Sequence, residues 1–213
     1  HCYGLCLSID FEIMQAEFWN QKYQESDYHY GLKPNRFLQL LLESRPPGRL
    51  LFPAEGEGRN AVYAAKLGWE VYAFDQSERG RAKALELAEE QGVELHYEIC
   101  DAREFNSELR FDVIALIYAH FPAEFRKELH KQYADLLKPG GEIWLEAFAP
   151  GQLEFQSGGP KNPEMLYSTE MLEADFSELQ IRQSEIKRYQ LDEGPGHQGL
   201  GEVVRLTAFK PEV

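Results

Sequence analysis

The chain has 213 residues, 43% of them hydrophobic and 13% aromatic, which is the composition of a globular protein with a sizeable core and not of a disordered one. Its 36 acidic against 22 basic side chains leave a formal net charge of −14. Such a surface repels phosphate backbones, so a small-molecule substrate is expected and nucleic acid is not. No apolar run approaches the roughly 20 residues that a bilayer-spanning helix needs, so no membrane partner is expected.

Residues 1–9 are mildly apolar, have no basic n-region and show no clear cleavage site, and read as a frayed terminus. Cys2, Cys6 and Cys100 make an odd count without zinc-type spacing. No metal site is expected, Cys100 reads as a small buried hydrophobe, and a reducing cytoplasmic compartment fits. Phe11 to Tyr23 has helical spacing, with Phe18 and Trp19 as its large members. Asp27 to Asn35 is an aromatic-rich loop broken by Pro34, Arg36 to Leu42 a short helix, and Arg45-Pro46-Pro47-Gly48 a hinge.

From Leu50 the alternation of strand and helix is regular. Strands are expected over Leu50–Pro53, Trp69–Asp75, Val93–Cys100, Phe111–Tyr118 and Glu142–Phe148. Helices are expected over Asn60–Leu67, from the Ser77 cap to Gln91 with Gly92 as terminator, and over Ala123–Leu137 up to Lys138-Pro139-Gly140-Gly141. Residues 150–164 read as a Gly- and Pro-rich insertion and Ser168–Asp175 as a short capped helix. Leu179–Leu191 and Glu202–Lys210 read as two last strands joined by a loop from Asp192 to Gly201. The expected fold is a Rossmann-like, doubly wound α/β sheet, mainly parallel with an antiparallel C-terminal edge. It forms one domain, with an N-terminal helical cover over 11–45 and a core over 49–213. Tyr133 and Phe155 read as solvent-facing aromatics, and a monomer or a homodimer fits.

The stretch from Leu50 to Ser77 joins a strand to a glycine turn, a helix and a second strand that ends in Asp75. This order opens a nucleotide site, with Gly56 and Gly58 letting the backbone pass close to a ligand and Asp75 placed for both hydroxyls of a ribose. Asp101 follows the third strand, where a carboxylate can accept from an adenine amino group. Gly56-Glu57-Gly58-Arg59-Asn60-Ala61 formally matches the dinucleotide string G-x-G-x-x-A, so a nicotinamide oxidoreductase is one reading. Two carboxylates in the turn, Glu55 and Glu57, oppose a pyrophosphate there and suit a cofactor bearing a sulfonium and an ammonium.

Glu57-Gly58-Arg59-Asn60-Ala61, Asp75 with Ser77, Asp101-Ala102 and Leu136-Leu137-Lys138-Pro139-Gly140-Gly141 together resemble class I S-adenosylmethionine-dependent methyltransferases over about residues 11–210. Phe18-Trp19-Asn20-Gln21-Lys22-Tyr23, Tyr30-Gly31 and Pro34 to Leu38 are similar to the cofactor cover of the tellurite-resistance and thiopurine methyltransferase-like branch. The resemblance implies S-adenosyl-L-methionine as cofactor and methyl transfer to a thiol, a chalcogen oxyanion or a similar small acceptor. It places Ala54, Glu55, Gly56, Gly58 and Asn60 around the methionine moiety. Asp75 with Gln76 and Ser77 would serve the ribose, Asp101 and Ala102 the adenine, and Trp19 and Tyr23 the cover. Tyr118 would face the methyl group. A protic acceptor needs a general base, for which His120 is the candidate, with Tyr30 beside it; His29, Arg36 and His197 are candidate substrate contacts. Phe52 and Ala54 depart from the family turn, which carries Asp and Gly there, and Glu55 is the candidate replacement for the missing carboxylate. That departure keeps open a non-catalytic S-adenosylmethionine or S-adenosylhomocysteine binder.

Overall fold

The computed structural model describes residues 15–24 and 27–212. The first four positions of the expected cover helix, together with His1, Cys2 and Cys6, lie outside the described residues; residues 15–22 are helical.

Seven strands form one sheet in the order β3-β2-β1-β4-β5-β7-β6. They are β1 (Arg49–Pro53), β2 (Glu70–Asp75), β3 (His96–Ile99), β4 (Phe111–Ile117), β5 (Leu137–Phe148), β6 (Gln180–Glu193) and β7 (His197–Phe209). The first five are mutually parallel, and β7 runs antiparallel to both β5 and β6. The chain winds outward from β1 to β3 and returns to β4, so the sheet reverses direction of winding between β1 and β4. Loops leaving adjacent strands diverge there and open a crevice at the carboxyl ends.

Alternation along each strand sends side chains to opposite faces. Leu50, Phe52, Val113 and Trp144 pack on one side with Phe37 and Trp69, while Leu51, Ile114, Ile143 and Leu145 pack on the other with Tyr133 and Phe176. The central strands are covered on both faces and read as continuous apolar runs; β6, at the edge, is largely exposed. Ser77 Oγ accepts from Gly80 N at 3.0 Å and Gly92 adopts the left-handed conformation, which bounds the helix Glu78–Gln91 as expected. Ser168 caps Thr169–Asp175 in the same way.

Five expectations are corrected. Lys138 to Gly141 belong to β5, because Gly140 N donates to Lys210 O and Lys210 N to Gly141 O, each at 2.8 Å, pinning the segment to the end of β7. β3 is shorter than expected, four residues from His96. Tyr133 is fully buried, and Cys100 is only half-buried.

The fifth correction matters most for the site. The supposed loop from Asp192 to Gly201 is paired strand up to Glu193↔His197, leaving only residues 194–196 as the turn. Its glycines serve close packing: a Cβ on Gly194 would lie 2.3 Å from Gly31 N, and one on Gly201 2.6 Å from the Leu191 side chain. Gly196 N donates to His29 O at 2.9 Å, so the hairpin tip is fastened to the N-terminal loop.

Candidate active site at the carboxyl ends of the strands

A cleft of about 710 Å³ opens at the carboxyl ends of β1 to β5, walled on one side by the helix over residues 15–22. The turn after β1 forms its floor. Ala54 sits there at φ 52°, a left-handed conformation that costs a residue with a Cβ roughly 1–2 kcal/mol.

Gly56 and Gly58 are also left-handed, yet neither lines the cleft. A Cβ on Gly56 would fall 2.6 Å from the Tyr23 hydroxyl, and one on Gly58 2.5 Å from Ala84 Cβ. These glycines admit the cover and the helix Glu78–Gln91 rather than a ligand, which corrects the expected reason for them. The two turn carboxylates also part company. Glu57 is buried, binds Lys83 Nζ at 2.7 Å and accepts from His29 N at 2.9 Å; it ties the N-terminal loop down and does not line the cleft. Glu55 does line it, and its Oε1 accepts from Ala61 N at 2.7 Å. Glu55 thus caps the helix Arg59–Lys66, whose own N-cap Gly58 has no side chain to do so. Burial pushes its carboxyl up to about 8, against the Ala61 amide and the Arg59 charge.

Asp75 is buried at the end of β2 and faces the cleft. Its two oxygens accept from Gly56 N at 3.0 Å and Ser77 N at 2.8 Å, which fixes the carboxylate against the turn and leaves lone pairs for a ligand. Burial pushes it up to about 6. Ser77 itself does not line the cleft; its hydroxyl donates to Asn20 Oδ1 at 2.7 Å and so anchors the cover. Gln76, Ala102, Trp19 and Tyr23 do line it, the last two stacked with ring centroids 5.6 Å apart. Asp101 lines it as well, gripped by Arg103 through Nε at 2.9 Å and Nη2 at 3.0 Å. Burial opposes its charge, but the Arg103 bonds hold its carboxyl below the ordinary range. The i, i+2 spacing of Asp101 and Arg103 was the available signal for that pair.

At the other end, Tyr30, Tyr118, His120, Phe148, Met165 and His197 converge. Tyr118 is left-handed at φ 54°, and its hydroxyl donates to Glu146 Oε1 at 3.1 Å. His120 is corrected as a general base. Its Nδ1 lies 2.6 Å from the Met165 carbonyl and must carry the proton, while Nε2 accepts from Phe148 N at 3.2 Å. Both nitrogens are spent on backbone, and burial pushes the ring down to about 4. Arg36 is exposed and His29 does not line the cleft, so neither reaches a substrate there.

Beneath this end lies a buried polar network that the sequence did not disclose. Arg59 Nη2 meets Glu193 Oε2 at 2.5 Å; Asn35 Nδ2 donates to Glu193 at 3.0 Å and to Glu146 at 2.6 Å. Glu146 also receives Tyr189 at 2.9 Å and Arg205 at 2.5 Å. Asn60, which faces the cleft, accepts from Asn35 N at 2.8 Å. The network joins the N-terminal loop to the helix after β1 and to β5, β6 and β7. Among the described residues no cluster of three His, Cys, Asp or Glu side chains is arranged to hold a metal ion.

Residues 53–141 match the family model described as a methyltransferase domain. No curated protein matches the chain. The chain is similar in structure to TehB from Haemophilus influenzae (TM-score 0.69, 17% identity, 92% of this chain and 66% of that one). It is also similar to the N-methyltransferase NodS from Bradyrhizobium japonicum WM9 in complex with S-adenosyl-L-homocysteine (0.71, 14%, 92% and 98%). A third likeness is to magnesium protoporphyrin IX methyltransferase (ChlM) from Synechocystis PCC 6803 with bound S-adenosyl-L-homocysteine (0.69, 15%, 93% and 99%). The fold is the Rossmann-like methyltransferase fold. The Glu55 carboxylate already occupies the helix amide where a pyrophosphate would sit, which weighs against the nicotinamide reading of the glycine string. Residues 53–141 thus match a methyltransferase-domain model within a chain whose whole fold is similar to that of solved methyltransferases.

Proposed function

We propose that the protein methylates a small-molecule acceptor, a thiol, a chalcogen oxyanion or a similar nucleophile, with S-adenosyl-L-methionine as donor. When bound, the donor supplies an electrophilic methyl group on a sulfonium. The observation that carries this reading is the pair of cleft-facing carboxyls at the turn, Glu55 and Asp75, both pushed upward by burial among few compensating cations. A cleft with that character suits a cationic ligand and disfavours a pyrophosphate.

In this reading Asp75 binds the ribose with its remaining lone pairs, and Gln76 lies beside it. Asp101 and Ala102 receive the adenine, and the stacked Trp19 and Tyr23 close over the nucleoside. Ala54, Glu55 and Asn60 border the methionine end, with Glu55 opposite its ammonium. Gly56, Gly58 and Ser77 act through backbone placement. Tyr118 and Tyr30 border the transferring group, and the chain's main task is alignment of an in-line displacement. The engagement of His120 by backbone favours one alternative, a binder without turnover.

The test is thermal denaturation with S-adenosylhomocysteine, S-adenosylmethionine and NADH in parallel, since a ligand of the native state raises the midpoint by mass action. A rise with the first two only is expected. A rise with NADH only, or with none, contradicts the reading.

A further inference from the structure

With His120 spent, the base must be sought elsewhere, and His197 has the required surroundings. It is the first residue of β7, directly across the hairpin from Glu193, and only 4% exposed. Its ring lines the cleft between Tyr30, Tyr118 and Phe148, with centroids 4.5, 4.4 and 5.0 Å away. Nδ1 is buried, has no hydrogen-bond partner, and lies 3.9 Å from Glu193 Oε2. Among the described residues Nε2 makes no hydrogen bond either. A carboxylate beside Nδ1 favours the tautomer with the proton on that nitrogen, which leaves the Nε2 lone pair for the cleft. Glu193 is itself clamped by Arg59 and Asn35, so the orienting carboxylate is fixed in place.

We infer that His197 is the catalytic base of the methyl transfer, with Glu193 as its positioning residue, and that the acceptor is an un-ionised hydroxyl on an aromatic ring. This rests on the methyl transfer of the proposed function and sets a phenol in place of the thiol and oxyanion acceptors named there. The half-buried rings of Tyr30 and Tyr118, backed by the buried Phe148, offer flat surface to an aromatic acceptor and little to a hydrated oxyanion. The acceptor O–H bond breaks, its proton going to Nε2 and its electron pair staying on oxygen. An oxygen lone pair forms the new O–C bond while the pair of the methyl–sulfur bond returns to sulfur. The positive charge of the sulfonium donor is thereby replaced by that of an imidazolium, which discharges its proton to solvent as product leaves.

The charged and titratable groups around the ring are Glu193 from β6, Arg59 and Lys22 from two helices, Tyr30 from the loop, and Tyr118 and His120 after β4. Burial, with Arg59 and Lys22, pushes the imidazole below its ordinary value, against the pull of Glu193. A ring so placed is neutral at neutral pH and ready to accept a proton.

The experiment compares wild type with His197→Gln on two probes, a panel of un-ionised phenols (4-methylphenol, 2-naphthol) and 4-nitrothiophenol, already a thiolate at neutral pH. S-adenosylhomocysteine binding is measured alongside by calorimetry. The expected result is a loss of roughly 100-fold or more in kcat with the phenols. Thiolate methylation should fall by less than about tenfold, far less than phenol methylation, and S-adenosylhomocysteine affinity should stay within about threefold of wild type, a factor worth less than about 1 kcal/mol. The wild-type phenol rate should level off above the histidine pKa, whereas the variant rate should climb toward the phenol pKa. Equal losses on both probes, or a wild type that methylates the thiolate and no phenol, would overturn the assignment while leaving methyl transfer standing. S-adenosylhomocysteine binding without turnover of any probe would overturn methyl transfer itself. Should His197→Gln fail to fold, ring nitrogen shifts of the wild-type histidines decide: Nδ1–H with bare Nε2 supports the base, and the reverse tautomer contradicts it.

Discussion

The two ends of the cleft are built on different principles. The turn end is local: Ala54, Glu55 and Asp75 lie within one strand–turn–helix–strand unit, and their carboxylates are held by amides of that unit. The hairpin end is assembled from distant segments, with Asn35, Arg59, Glu146 and Glu193 meeting in one buried network. A local site tolerates change within its unit. A distributed one transmits any single loss to several elements at once.

That contrast orders the expected effects. Arg59→Met should be the most damaging, because it strands the buried Glu193 carboxylate; breaking such a pair costs roughly 3–5 kcal/mol, and urea denaturation would register it. A loss under about 1 kcal/mol would mean that the network is loosely coupled. Next, Asp75→Ala should weaken S-adenosylhomocysteine binding at least tenfold, about 1.4 kcal/mol, with the fold retained. Full affinity in that variant would remove Asp75 from the ribose contact.

Proton linkage sharpens the comparison further. Asp75 and Glu55 have folded values raised to about 6 and about 8, so each binds more protons in the native than in the unfolded state over the interval above its ordinary value. Their contribution to stability is present below the ordinary carboxylate range and is lost as pH rises through those folded values. The ligand-free protein should therefore lose thermal stability between about pH 4 and about pH 8 from these two groups. A cationic ligand reverses this, so binding near neutral pH should release protons, seen as a dependence of calorimetric heat on buffer ionisation enthalpy. Absence of proton release would sever Glu55 from the ligand's ammonium. The smallest effect is expected of Ala54→Gly, which relieves the left-handed strain and should add about 1 kcal/mol, or about 2–4 °C in Tm.

The same contrast explains what could be read from the chain beforehand. The order of strands and helices, the Ser77 and Gly92 helix ends and the strand-end position of Asp75 all follow from short-range periodicity and turn chemistry. Glu55 as replacement for the carboxylate missing at Phe52 came from the resemblance instead, and in the structure its side chain accepts from Ala61 N at the start of the helix after β1. Glycines misled in both directions. At Gly56 and Gly58 they suggested ligand contact where the neighbours are Tyr23 and Ala84, and from Gly194 to Gly201 they suggested a loose loop where a paired hairpin packs on residues 29–31. A glycine says that something comes close, without saying what. His120 looked like a base because of its place after β4, and only its two backbone partners disqualify it. Arg59, Glu146 and Glu193 carried no spacing signal, since the residues that hydrogen-bond them within the network lie between 28 and 158 residues away.

The most direct test of the central claim is a calorimetric titration of the purified protein with S-adenosylhomocysteine, repeated on Asp75→Ala. Saturable binding at one site per chain, weakened at least tenfold by the substitution, is the predicted result. No binding to the wild-type chain at millimolar ligand would contradict the account, because the cleft at the β1–β4 switch would then not be a cofactor site.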